Sequence, residues 1–507
     1  RPIQSRQSGA LDRYRSWTLC EMTALMWLCA ALVASASGEA RRGPALRPIQ
    51  RAVREHAVRG EHAAQKSRAA AVSPGGSEHA TMTGFELSAC IAADLCPHGM
   101  LPLAWAASQG GGTGAVPALA LIAVFGGASA YTLWLSALIA QKSGKSSTAL
   151  STVWAAANLP APKLVDALVA TLCAGCCVFY AAFAADLFGA LLPFSRPAVL
   201  AGLGAVVAPL CLGDDLSVLK YSSYAGLVGA FYTASLLGWR GLQTVPAAAA
   251  KAAPGLFRVG SGTAVLANTL VVAYLCHYNA LQYYNELEPN AGQRHAAPKR
   301  YGAVALRSIV LTSIVFSLSL FGGRAAFGES AMPNVLNNLG GDVVSSLAKL
   351  GTGVAILSGF PLMFAGLKAA LDGVTAFGAP GSRRGTHVSL LVAFGAAAAV
   401  ATDEDIGLVI ELLGSTLGCA AVYIVPGLAA WMSSSAVIPD AHRNAGGCVA
   451  AAGAVLAVIH QRFFGRPLAR ADAAVAGLWH RAYAQNALQR PPLNRAEPAA
   501  ARADRHP

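Results

Sequence analysis

From residue 84 onward, long apolar stretches alternate with short polar breaks. A helix needs about 20 residues to cross a bilayer. The pattern predicts eleven such segments: 84–109, 116–140, 165–192, 197–212, 221–239, 260–287, 302–323, 343–370, 387–402, 406–431 and 445–464. No alternation of period two runs along the chain, which disfavours a β-barrel. The expected fold class is therefore an all-α polytopic membrane protein with about 11 transmembrane helices. Residues 84–465 form the expected membrane domain. Residues 1–81 read as a basic, disordered N-terminal region and residues 466–507 as a basic C-terminal tail. Within the first region, residues 22–38 read as a candidate leader, with a short apolar core and small residues Ala34 to Ser37.

Composition agrees with the pattern. Of 507 residues, 55% are apolar and 12% charged, too little charge to cover a soluble chain of this length. The net charge of +13 divides unevenly: +6 over residues 1–81, +5 over 462–507 and only +2 between them. The basic ends carry no aromatic-interleaved motif, so nucleic acid is not an expected partner and anionic membrane lipid is. One set of alternate loops holds eleven Lys/Arg, among them Lys142, Lys220 and Arg300. The other holds five: Arg196, Arg240, Lys251, Arg258 and Arg324. The richer set is expected on the cytoplasmic side, with the N-terminus inside. Eleven cysteines, mostly within apolar runs, read as small packing residues, although Cys173 and Cys176 have the spacing of a redox or zinc pair.

Two segments carry candidate chemistry. In the first, GFELSACIAADLCPHGMLPLAWAASQGG (84–111), Pro97 and Pro102 remove backbone donors and Gly99 weakens the helix between them. A break near Pro97–Leu101 would free carbonyls and amides at mid-membrane. Such backbone is tolerated where it lines a ligand cavity; the plain alternative is a kinked packing helix. Asp94 stands three residues before Pro97. A carboxylate at that depth costs roughly 2.5 kcal/mol or more to insert, so it is either a proton carrier, a vestibule residue or half of a pair. The sixth segment ends in YLCHYN (274–279), where His277 either contacts a ligand or is satisfied by a neighbouring helix. No phosphate-binding Gly-rich loop, metalloprotease helix or nucleophile elbow occurs, and no enzyme or cofactor is expected.

These residues also carry a family resemblance. GMLPLAWAASQGG (99–111) and CHYNALQYYNEL (276–287) resemble the first- and sixth-helix motifs of the amino acid/auxin permeases. LKYSSYAGLVGAFY (219–232), FPLMFAGLKAALD (360–372) and LLGSTLGCAAVYIVPGL (412–428) are similar to the fifth, eighth and tenth, in the same order. The resemblance implies a five-plus-five inverted repeat with broken helices 1 and 6, and secondary active transport of amino acids. Substrate would lie at the breaks. Its carboxylate would meet amides near His98, Gly99, Met100 and Leu101, and its ammonium carbonyls near Tyr274, Cys276 and His277. In the family's sodium-coupled branch an Asn of helix one and a Thr of helix eight hold the ion. Ungapped alignment places Ala93 and Gly359 there, with Asp94 and Ser358 as neighbours. That departure favours a proton as coupling ion, carried by Asp94, over sodium. A transporter-like amino-acid sensor is the other class. The plasma membrane and a vacuole- or lysosome-like endomembrane are both compatible.

Overall fold

A computed structural model describes residues 82–143, 148–213, 219–248, 255–289, 296–374, 380–401 and 413–463. The expected leader, N-terminal region and C-terminal tail lie outside the described residues. Those that are described are helical apart from their connections and one isolated bridge between Met82 and Leu287. We number the helices α1 (Gly84–Met100), α2 (Leu103–Ser108), α3 (Ala115–Ser143), α4 (Ser151–Ala156), α5 (Pro162–Gly189), α6 (Arg196–Leu212) and α7 (Lys220–Ala248). They continue as α8 (Ser261–Ala273), α9 (Ala280–Glu286), α10 (Pro298–Phe327), α11 (Val343–Val374), α12 (Pro380–Val400), α13 (Val425–Met432) and α14 (Asp440–Phe463). Two wide, π-type turns at Leu413–Gly418 and Ala420–Ile424 lead into α13.

Among the described residues, six helical stretches are long and apolar enough to cross a membrane, and the bent pair α1–α2 makes a seventh. The protein is thus an integral, multi-pass membrane protein. The described parts of four further expected segments also fall on helices: 197–212 on α6, 221–239 on α7, the described residues of 387–402 on α12, and 413–431 of the segment 406–431 on the π-type turns and α13, residues 406–412 lying outside the described residues. Exposed apolar side chains such as Val124, Val206, Tyr221 and Val228 fit a bundle whose outer surface meets hydrocarbon.

Burial has no hydrophobic drive between helices in lipid, so close packing must hold them together. Helix α11 packs against α5 and α7, and α10 against α7, α3 and α1. Small residues permit these approaches. A methyl group on Gly229 of α7 would meet the Gly351 backbone of α11 at 2.2 Å. The start of α1 and the end of α9 are tied by main chain: the Met82 N–H donates to the Glu286 carbonyl (2.7 Å) and the Glu288 N–H to the Met82 carbonyl (2.9 Å). Thr83 and Glu86 close a capping box on α1. Glu86 also pairs with Lys220 at the start of α7, at 3.2 Å.

Candidate substrate and coupling site

The first segment breaks, but later than Pro97. Helix α1 runs through Pro97 to Met100, and the chain turns at Leu101–Pro102 before α2 departs at 46°. His98, Gly99 and Met100 are therefore the last turn of α1, with Leu101 at its cap. The two prolines explain the geometry. Pro97 leaves the Ala93 carbonyl without its helical donor, and Pro102 does the same to that of His98. One missing bond is absorbed inside α1; the chain parts at the second. The Leu101 carbonyl faces the loop after α10, accepting from the Val335 N–H at 3.4 Å. Gly99 is required by close packing: a methyl group there would meet the Phe316 ring of α10 at 2.1 Å and Ala273 of α8 at 3.1 Å.

The sixth segment breaks where expected. Helix α8 ends at Ala273, Tyr274 to Cys276 are non-helical, and a tight turn over His277–Asn279 enters α9. The Cys276 carbonyl accepts from the Asn279 N–H, and that of His277 from Ala280. The Tyr274 and Leu275 carbonyls take no protein donor among the described residues. They remain available as acceptors at the break. The Tyr274 side chain itself turns to Ser313 of α10, at 2.7 Å, and Cys276 is buried.

Asp94 joins the two breaks. Its side chain is completely buried. The Tyr278 hydroxyl lies 2.8 Å from each carboxylate oxygen, and the Tyr283 hydroxyl donates to Oδ2 at 2.6 Å. Both tyrosines flank the second break, one in the turn and one on α9. Among the described residues no cation pairs with Asp94, so the paired reading of this carboxylate is replaced by a tyrosine cradle. Asn279 braces Tyr283 at 3.5 Å and donates to the Leu362 carbonyl of α11 at 2.8 Å.

Both histidines are buried and already engaged. His98 Nδ1 lies 2.6 Å from the Tyr180 hydroxyl and Nε2 is 3.0 Å from the Val272 carbonyl of α8. His277 Nε2 lies 2.8 Å from the Thr132 hydroxyl of α3, while its Nδ1 has no partner. Ser358 turns back to its own helix, donating to the Val354 carbonyl at 2.6 Å, and packs on Gly226 of α7. Tyr180, on α5, escaped sequence reasoning. Its hydroxyl donates to the Asp94 main-chain carbonyl at 3.1 Å, and its ring lies over Gly359 of α11. The only hint was a tyrosine placed inside an apolar run beside three cysteines. Those cysteines, Cys173, Cys176 and Cys177, are buried free thiols, and no group of metal ligands forms among the described residues.

The family model for "Transmembrane amino acid transporter protein" matches residues 80–438, which contain both breaks and Asp94. The chain belongs to this family. Two Arabidopsis thaliana proteins named amino acid transporter AVT6B and AVT6A are 30% and 28% identical to this chain over 112 residues. That stretch is 21% of this chain and 23% of each relative. Among solved structures, MhsT in complex with L-phenylalanine aligns with 80% of this chain and 100% of its own at 12% identity, TM-score 0.49. The Eremococcus coleocola manganese transporter aligns with 82% and 95% at 13% identity, TM-score 0.47.

Proposed function

We propose that this protein is a secondary active transporter of amino acids that moves a proton with its substrate. One observation carries the reading: a fully buried carboxylate on the first broken helix is held by two tyrosine hydroxyls from the second. An ionised Asp94 accepts both hydroxyl protons. Once protonated, its own O–H donates to one of the two tyrosine oxygens, whose proton must turn away, while the remaining carboxyl oxygen still accepts from the other. The tie between α1 and the α8–α9 break therefore depends on one proton. Neutralising the carboxylate also lets the bundle change its facing state without moving a bare charge through hydrocarbon. The substrate carboxylate would lie at the turn after Met100, and its ammonium at the Tyr274 and Leu275 carbonyls.

Sodium coupling has less support. The Tyr180 side chain fills the space between the Asp94 carbonyl and Gly359, next to the positions where the resemblance puts the sodium ligands. The test is uptake of a labelled amino-acid mixture into proteoliposomes under a proton or a sodium gradient in turn. The proton gradient should drive accumulation; accumulation by sodium alone would overturn the proposal.

A further inference from the structure

At one end of the bundle two arginines flank the same loop. The Gly110, Gly111 and Gly112 backbones all take positive φ, at 56°, 79° and 88°, and carry the chain from α2 to α3. The Arg258 guanidinium lies against Gly111, where an added methyl group would meet Nη2 at 2.4 Å. The Arg258 carbonyl accepts from the Gly114 N–H at 2.8 Å. Arg324, near the end of α10, donates to the Thr113 carbonyl. Both guanidinium groups therefore lie against the same short stretch of loop, at Gly111 and Thr113.

Like charges side by side are costly unless an anion lies between them. Neither arginine makes an ion pair among the described residues, whereas Arg196, Arg240 and Arg443 each have an aspartate. Glu329, five residues beyond Arg324, is exposed and pairs with neither. Arg258 is exposed and Arg324 partly buried, so one guanidinium can be reached from solvent and the other lies deeper. The place is also informative. Thr113 touches Thr263 of α8 across 3.4 Å, and Gly262 packs on Gln109. The arginine pair therefore sits where the end of α2, the half-helix after the first break, meets the start of α8, the half-helix before the second. The Lys/Arg distribution assigns this end to the non-cytoplasmic side.

We infer that Arg258 and Arg324 form a carboxylate-binding subsite at the outer mouth, and that the transported class includes acidic amino acids. This inference rests on the transport reading above. A second carboxylate on the substrate would meet the pair on its way to the breaks, and a cationic entrance concentrates anionic solutes in a salt-dependent manner. The same chemistry could come from a lipid headgroup, because Leu256, Phe257 and Val259 beside Arg258 are exposed and apolar.

The test uses the full-length protein in proteoliposomes of neutral phosphatidylcholine, with labelled L-glutamate and L-alanine. Arg258→Gln should raise KM for glutamate about fivefold more than KM for alanine, the size of one partly exposed ion pair. Raising salt should remove the difference between the wild-type protein and the variant. Arg324→Gln should act likewise, and Arg324→Lys should recover most of the loss; the lysine variant separates lost charge from a misfolded loop. Equal changes for both substrates, or no glutamate uptake by the wild-type protein while alanine accumulates, would overturn the subsite. An effect present only after anionic lipid is added would assign the pair to headgroups and overturn it too. Failure of every amino acid to accumulate is a distinct result, and speaks against the transport reading itself.

Discussion

Asp94 shows how far a single residue can be read. A carboxylate in the middle of an apolar segment is conspicuous, and its cost in the membrane marks it for a task. Its partners are another matter. Tyr278 and Tyr283 lie 184 and 189 residues away along the chain. Asp94→Asn keeps the shape and removes the titratable group. It should abolish pH-driven accumulation while leaving counter-exchange partly intact; full pH-driven uptake by that variant would sink the assignment. Tyr283→Phe strips one donor from a buried acceptor, at a cost of about 1–3 kcal/mol. Uptake should fall by about fivefold to 150-fold for that range. Tyr278→Phe should act through the same carboxylate, so in an Asp94→Asn background neither tyrosine change should add much.

At the scale of the helix, the two prolines were equally visible and unequal in effect. Pro97 remains inside α1 while Pro102 opens the turn. Local propensity penalises both. Packing decides between them: Gly99 is pinned between Phe316 and Ala273, which holds the last turn of α1 in helical register beyond Pro97. Gly99→Ala should therefore impair transport severely, and Phe316→Ala should restore part of it by making room for the methyl group. Fluorescence-detected size exclusion would report whether the variants are folded. A second element-scale contact is the Glu86–Lys220 pair, which ties α1 to α7 at 3.2 Å. Glu86→Lys should slow uptake, and the exchanged pair Glu86→Lys with Lys220→Glu should recover it. No recovery would mean that the two charges act independently.

For the whole molecule, the contacts gather at two ends. Met82, Glu86, Lys220 and Glu288 lie at one, and Thr113, Arg258 and Arg324 at the other. The Lys/Arg distribution predicts that the first end is cytoplasmic. In sealed, right-side-out vesicles, a cysteine replacing Arg258 should react with an impermeant thiol reagent from outside, and one replacing Lys299 only after permeabilisation. Cys448, on α14, is the one exposed free cysteine among those described, and should be replaced first to clear the background.

The residues by themselves carry repeated membrane crossing, a break at the prolines of the first segment and a costly carboxylate at Asp94. Each follows from local chemistry: apolar length against bilayer thickness, missing backbone donors at proline, and the cost of charge in hydrocarbon. The break in the sixth segment, which has no proline, entered only through the family resemblance. Packing in three dimensions put the first break at Leu101–Pro102, two tyrosines of the second break on Asp94, Tyr180 over Gly359 and two distant arginines on one loop. Those facts depend on pairs separated by tens to hundreds of residues. Side chains buried within a bundle satisfy one another across helices, and no periodicity along one segment records which partner on another helix it will meet.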